Sequence, residues 1–406
     1  MAIQDEGVFE HKEFKGLRNT VGADAFEPGD LEAATNVDID DAGDASVRRG
    51  HPAASIAGAS HSLWSDGTTC LAVIAGTLTQ ILPSLATQSL RTGMGARPVS
   101  YDSVAGRVYY TNGVQTGVVE NGASRSWGLE VPTTIAAVAA PGALPAGRYQ
   151  FALTYIRTDG QESGASRAGF LELTAPGGLS FPALPVPTDP DVLEKALYVT
   201  KLDGTALYYA HTVLAATTST TFTDPRLGTA VLSTQHLSPP PAGDIIAYFA
   251  GRVYVAAGDT LYPSRPYAYE LFDLREAIRL GDQITLVGPV TDGLFVAAGA
   301  RTMFLAGRDP AGFDLRPLAT YGAIPRTSYR ESTSALDPAR KGSCVIWASA
   351  RGVCVGFDGG DMVNLTESRF AYPVQETGAA VVRPWRGTQQ FLTTLRGTET
   401  PGNIAG

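Results

Sequence analysis

An all-β chain is what the sequence predicts, and three observations predict it. Gly (45) and Pro (26) recur throughout the 406 residues, with short runs of Val, Ile, Leu, Tyr, Phe and Thr between them. That is the texture of many strands joined by tight turns. A strand–turn–strand unit repeats along the chain. Helical patterning is confined to two stretches, Asp189–Leu197, which opens on Asp189-Pro190, and Tyr267–Ala277.

The repeat is clearest in two copies. Residues 105–113 read Ala-Gly-Arg-Val-Tyr-Tyr-Thr-Asn-Gly and residues 250–258 read Ala-Gly-Arg-Val-Tyr-Val-Ala-Ala-Gly, each after an apolar or aromatic run. The unit is a strand, an Ala-Gly turn, a strand opening on Arg-Val-Tyr, and a second Gly turn. Looser copies lie at 69–82, 292–306, 342–357 and 379–395, the third with Cys344 and Cys354 flanking a turn at Ser349–Gly352. Antiparallel hairpins at roughly 40–50 residue spacing predict the blades of a β-propeller, with five to seven blades. Stacking round an axis buries faces that a single blade cannot bury. A generic β-sandwich with similar hairpins is the alternative for the main body.

The two clearest copies lie much more than one blade apart, and the surplus of about ninety residues has its own character. Tyr149, Phe151, Leu153 and Tyr155 alternate with Gln150, Ala152 and Thr154, the pattern of a half-buried strand. Further strand patterns follow at 170–174, 195–200, 207–211 and 219–224, bounded by Pro141/Pro145 and Pro239-Pro-Pro241. This spacing suits an inserted Ig/fibronectin-like β-sandwich. The expected domains are residues 1–140 (N-terminal arm and first blades), 141–240 (sandwich) and 241–406 (remaining blades).

Composition narrows the function. Net charge is −9 and no Lys/Arg run occurs, which disfavours a protein that grips phosphates. Charged residues are 17%, below the usual quarter; so sparse a charge suits a surface covered by neighbours. Three cysteines do not make a disulfide framework, and Cys344 and Cys354 are expected to lie roughly opposite each other as buried thiols. The N-terminus lacks an apolar leader and no long apolar run occurs, so neither a signal peptide nor a membrane span is expected.

The five histidines form no metal pair. Residues Val37–Asp44 miss the calcium-loop pattern at Ala42 and at Arg49, which leaves an Asp-rich turn, with weak cation binding open. No nucleophile elbow, phosphate loop or dinucleotide fingerprint is present. The chain is therefore expected to be non-enzymatic, with no catalytic, cofactor or metal residues. The rival is a carbohydrate-binding or glycan-hydrolysing propeller acting on a host surface. Its four Trp residues, Trp64, Trp127, Trp347 and Trp385, are scattered in sequence, and aromatics grouped on one face would favour it.

Arg107 and Arg252 recur at one position of the repeat. Either they line a channel or bridge to a neighbouring subunit, or each opens a strand at the solvent edge. Arg48 and Arg49 are candidates for touching a neighbour or DNA, against plain solvation.

Several motifs follow one another along the chain: Phe14-Lys-Gly-Leu-Arg-Asn, Pro28-Gly-Asp-Leu-Glu-Ala-Ala-Thr-Asn-Val37, Val47-Arg-Arg-Gly50, Gly147-Arg-Tyr through Asp159-Gly-Gln-Glu-Ser163, Ala196–Gly204 and Gly251–Pro266. Their order resembles that of short-tailed phage tail nozzle, or tail hub, proteins (the tail tubular protein B group). Arg18 stands where that pattern has its early Asn, and the last eighty or so residues match by texture alone. The resemblance implies a hexameric homo-oligomeric ring below the head–tail adaptor and in contact with other tail proteins. Double-stranded DNA would pass through it without specific binding. It also implies a place in the virion tail, after synthesis in the bacterial cytoplasm.

Overall fold

The computed structural model describes residues 13–40, 42–48, 56–336, 339–372, 375–385 and 388–397. It divides into two compact units, Gly58–Gly281 and Met1–Ala57 with Asp282–Gly406. Among the described residues the regular structure is strand and short 3-10 turn, with no α-helix. The all-β expectation therefore holds, as a set of small, mostly antiparallel sheets.

The unit Gly58–Gly281 holds three sheets of consecutive antiparallel strands. The first meander comprises Ser60–Ser65, Cys70–Ile74, Thr77–Ile81 and Thr87–Arg91. The second comprises Ser100–Val104, Arg107–Thr111, Thr116–Glu120 and Ala123–Arg125. The third comprises Ile245–Phe249, Arg252–Ala257, Thr260–Arg265 and Ala268–Phe272, with Ile278–Arg279 added beside Thr260–Arg265. Each is made by the repeat. Its Ala-Gly pairs are two-residue turns with both φ angles positive: Ala75/Gly76 at 48° and 75°, Ala105/Gly106 at 53° and 75°, Ala250/Gly251 at 47° and 79°. Such turns match the right-handed twist of the flanking strands. Gly tolerates the angle; Ala does not, and Asn does better. Ala250→Asn is therefore expected to stabilise the unit by about 0.5–1 kcal/mol, read as a higher denaturation midpoint at unchanged slope.

These strands read as continuous apolar runs because both faces are covered. Successive side chains point to opposite faces. Val108 and Tyr110 pack with Leu71, Val73 and Leu78 of the first meander, whereas Tyr109 packs with Ile246, Val253, Val255 and Phe272 of the third. The second meander is thus buried from both sides by the sheets before and after it.

Between the second and third meanders the chain builds a seven-stranded module. One sheet has the order Val138–Leu144, Gly177–Phe181, Thr220–Phe222; the other has Gly169–Leu173, Gly147–Arg157, Val192–Thr200, Leu207–Leu214. They share one core, in which Tyr149, Phe151, Leu153 and Tyr155 meet Leu179, Phe181 and Phe222. The half-buried strand expected at 149–155 is buried on both faces at its centre. Ala152 packs with Ala165, Tyr198 and Leu232, because segment 163–166 crosses the outer face and bonds Leu153 and Thr234.

The other unit repeats the stacking. Its fourth meander comprises Ile284–Val290, Gly293–Ala298, Arg301–Ala306 and Asp314–Ala319; its fifth comprises Tyr329–Ser332, Ser343–Ser349, Gly352–Phe357 and Met362–Asn364. A hairpin, Thr377–Trp385 with Thr388–Arg396, follows. Val345 and Trp347 face the fourth meander, while Cys344 and Ile346 face Val382 and Phe391 of the hairpin. Gly356 sets the spacing, since a Cβ there would lie 2.6 Å from the Phe295 ring. Gly356→Ala is expected to cost about 1–3 kcal/mol by overpacking, seen as a lower melting temperature.

Three expectations need correction. Neither predicted helix forms. Asp189-Pro190-Asp191 makes a turn, in which the Asp189 side chain accepts from Asp191 N–H, and the β-branched and aromatic run after it becomes the strand Val192–Thr200. Residues 268–272 are strand, and Leu274–Glu276 is a single 3-10 turn whose Arg275 N–H bonds the Asp273 side chain. The two cysteines are not opposite each other. Cys344 pairs across the hairpin with Phe357, and Cys354 with Trp347. Strand alternation sends them to opposite faces, and burial pushes both thiols up, Cys344 to about 11.

Candidate functional site

Arg107 follows the Ala105-Gly106 turn, two residues before Tyr109, so both side chains leave the same face of the second meander. Its Nε donates to Glu120 Oε1 at 2.9 Å and its Nη1 to Glu270 Oε1 at 3.1 Å. Tyr109 donates its hydroxyl to the same Glu270 oxygen at 3.3 Å. Arg125 Nη2 lies 3.4 Å from Glu120, 3.5 Å from Glu270 and 3.8 Å from Asp159. Asp159 in turn pairs with the buried Arg157 at 2.9 Å. Three guanidiniums and three carboxylates thus join the second meander, the third and the seven-stranded module in one network. The hydrogen bond from Arg107 holds Glu120 below the usual carboxylate range. Burial opposes the Arg107 charge, but the bond to Glu120 and the Glu270 charge outweigh it and raise the guanidinium.

The other predicted arginines are tied elsewhere. Arg252 Nη1 donates to Ser264 O at 2.7 Å and lies 3.8 Å from Glu276. Arg48 pairs with Asp38 at 2.8 Å, and Asp38 also meets Arg383 at 3.6 Å. Arg49 lies outside the described residues. Arg107, Arg252 and Arg48 therefore bind different carboxylates rather than forming one site. In the Asp-rich turn, Asp40 Oδ1 accepts from the N–H groups of Ala42 and Asp44, which is turn-forming use of the side chain. Among the described residues no three His, Cys, Asp or Glu side chains gather as a metal-binding group, and no helix is long and apolar enough to cross a membrane.

Sequence reasoning missed Asp30 and Glu270, whose partners are remote in the chain. Asp30 is buried and accepts from Arg18 at 2.7 Å and Arg369 at 2.6 Å. Around it, Asn19 exchanges hydrogen bonds with Ala371, and Thr20 donates to Ser368 O. Residues 13–31 are thereby clasped to the loop at 366–372. The bond from Arg18 chiefly holds Asp30 down at about 2. A depressed carboxyl stabilises the fold above its ordinary value of 3.8, and that contribution is lost as the pH falls through about 2. The clasp is accordingly expected to open between about pH 4 and 2, seen as faster amide exchange at 16–31 before global unfolding.

Among the described residues, each tryptophan packs in a different hydrophobic cluster. Trp64 stacks on Tyr101 at 5.6 Å, Trp127 lies between the second and third meanders, and Trp347 is buried in the other unit. The side chain of Trp385 lies outside the described residues. Tyrosines do group on the third meander, where Tyr269 stands edge-on to both Tyr248 and Tyr109 at 5.9 and 6.0 Å.

No protein-family model matches the chain, and no curated protein matches it. Solved structures give loose likenesses. One is the extracellular domain of a one-component system of B. thetaiotaomicron, with TM-score 0.31 and 9% identity over 84% of this chain and 40% of that one. Another is an S. cerevisiae Dbp5 complex with Nup159 and Gle1, with TM-score 0.26 and 9% identity over 82% and 71%. A third is PorZ of Porphyromonas gingivalis, with TM-score 0.20 and 12% identity over 79% and 43%. The chain spans well under half the length of the first and third. Likenesses this loose assign neither fold nor function.

Proposed function

We propose that the chain is a structural subunit of a short-tailed phage tail, one copy of a hexameric nozzle or hub ring through which the genome leaves. The observation that carries this reading is the agreement of two orders. The motifs resembling tail nozzle proteins run in the order arm (14–50), separate module (147–204), strand–turn repeat (251–266). The strands run in the order two meanders, a seven-stranded module, and then meanders again.

In this reading the meanders are blades of a β-propeller and the module is an Ig/fibronectin-like sandwich inserted between two of them. Support comes from the stacking, in which a meander is buried by its predecessor on one face and its successor on the other. Such packing makes a stiff wall. An acidic chain, at net charge −9, would not hold DNA phosphates by charge. The ion pairs around Arg107 then serve the wall itself, by fixing the module to it.

Native mass spectrometry of the purified full chain, alone and with its head–tail adaptor ring, tests the assignment. A sixfold assembly, or six copies docked on the adaptor, is the expected result. A chain that stays monomeric in both samples overturns it.

A further inference from the structure

We infer that the cleft between residues 13–16 and the Asp-rich turn receives an arginine side chain from a partner protein. The cleft encloses about 540 Å³ and opens to solvent. Phe14 and Ile39 line it beside Glu13, Lys15, Asp40 and Arg369. Backbone contacts fix its walls. Phe14 N–H bonds Gly43 O at 2.9 Å and Lys15 N–H bonds Gly29 O at 2.7 Å, so the segment runs between two glycines. At Gly43 φ is +82° and a Cβ would lie 3.0 Å from Glu13 Cα. So close an approach, in that conformation, requires glycine.

Charge decides the occupant. Both cations of the cleft already have a carboxylate, Lys15 pairing with Glu27 at 3.0 Å and Arg369 with Asp30 at 2.6 Å. Its two carboxylates have no cation. Among the described residues, Asp30 and Asp38 each meet two arginines and Glu27 meets Lys15 and Arg18, whereas Glu13 and Asp40 meet none. Both are exposed. Asp40 gives one oxygen to the N–H groups of Ala42 and Asp44 and keeps the other. Residues 1–57 hold five Lys/Arg against twelve Asp/Glu, so acids outnumber the cations that the arm can offer them. Two free carboxylates beside an apolar wall are complementary to a cation on an apolar stem. Arginine fits best. Its methylenes lie on Phe14 and Ile39, and its planar fork donates to two acceptors at once, where lysine brings a point charge. A cleft of this volume takes a drug-sized ligand, which leaves room for the backbone that carries the arginine.

Amide shifts of the full chain, titrated with the capped peptide Gly-Arg-Gly and its citrulline and norleucine counterparts, test this. Shifts at residues 14–16, 39, 40, 42 and 43 are expected with the arginine peptide. They are expected to vanish with citrulline, which keeps the shape without the charge, and with norleucine, which keeps only the stem. Glu13→Gln combined with Asp40→Asn should weaken binding roughly tenfold. Both amides retain an acceptor oxygen, so the Asp40 turn stays closed and the shifts elsewhere stay in place. Three results overturn the proposal: no shift at these amides with millimolar arginine peptide, equal shifts from the citrulline peptide, or agmatine binding as tightly as the peptide. The last would make the cleft a site for small amines. None of them bears on ring assembly, which native mass spectrometry reads separately.

Discussion

Trp347→Ala should cost the unit that holds the fourth and fifth meanders roughly 3–5 kcal/mol, the top of the range for a single core truncation. Trp347 is fully buried and packs with Leu286, Phe295 and Phe304 across the joint between those sheets; its ring lies 5.8 Å from that of Phe295. The neighbours come from strands fixed by their own ladders, so they cannot close over the gap, and the cavity term adds to the lost burial. Trp347→Phe separates the two contributions. The indole Nε1 is buried without a hydrogen-bond partner, so the smaller ring forfeits volume but also removes an unsatisfied donor. It should cost no more than about 1 kcal/mol. Chemical denaturation of both variants checks this, and similar losses in the two would show that ring volume is not what matters at this joint.

That joint was legible in the sequence only in part. The Ala-Gly turns announced themselves, because a two-residue turn between β-branched runs has few other meanings. The run Cys344-Val-Ile-Trp-Ala announced a strand of the repeat. Which face each residue takes was not announced: the ladder places Cys354 opposite Trp347, not Cys344. The predicted helices failed for a related reason. Residues 189–197 carry a helix start signal, yet Val192 and the run Leu197-Tyr198-Val199-Thr200 prefer a pleated surface, and pairing with Gly147–Arg157 decided the outcome.

The charged positions were the least legible. The repeat singled out Arg107 and Arg252 as equivalents, and their backbones are equivalent, each opening the second strand of a meander. Their chemistry differs because the partners come from elsewhere. Arg107 meets Glu270 from a later meander, beyond the whole inserted module, whereas Arg252 meets the backbone of Ser264. A local pattern carries no information about a partner 163 positions away. The same holds for Asp30, whose second arginine lies 339 positions on.

Glu270→Gln should be the second large effect, a loss of roughly 3 kcal/mol, larger than its modest change in shape suggests. One oxygen of Glu270 receives Arg107 and Tyr109 and lies 3.5 Å from Arg125. The amide keeps the volume but removes the charge, leaving two guanidiniums close together with Glu120 as their remaining near carboxylate. Half-buried positive charge left with one carboxylate fewer, rather than a lost hydrogen bond, then sets the cost. Two consequences distinguish this from a simple packing defect. Arg107→Gln in the Glu270→Gln background should restore part of the loss, giving a coupling energy above about 1 kcal/mol in a double-mutant cycle. Tyr109→Phe, which removes only a neutral donor, should cost about 1 kcal/mol or less. Because Arg125 also reaches Asp159 of the seven-stranded module, amide exchange around 157–163 should quicken in Glu270→Gln while the module's own core stays protected. Additive losses with no change at 157–163 would mean that the network does not join the module to the meanders.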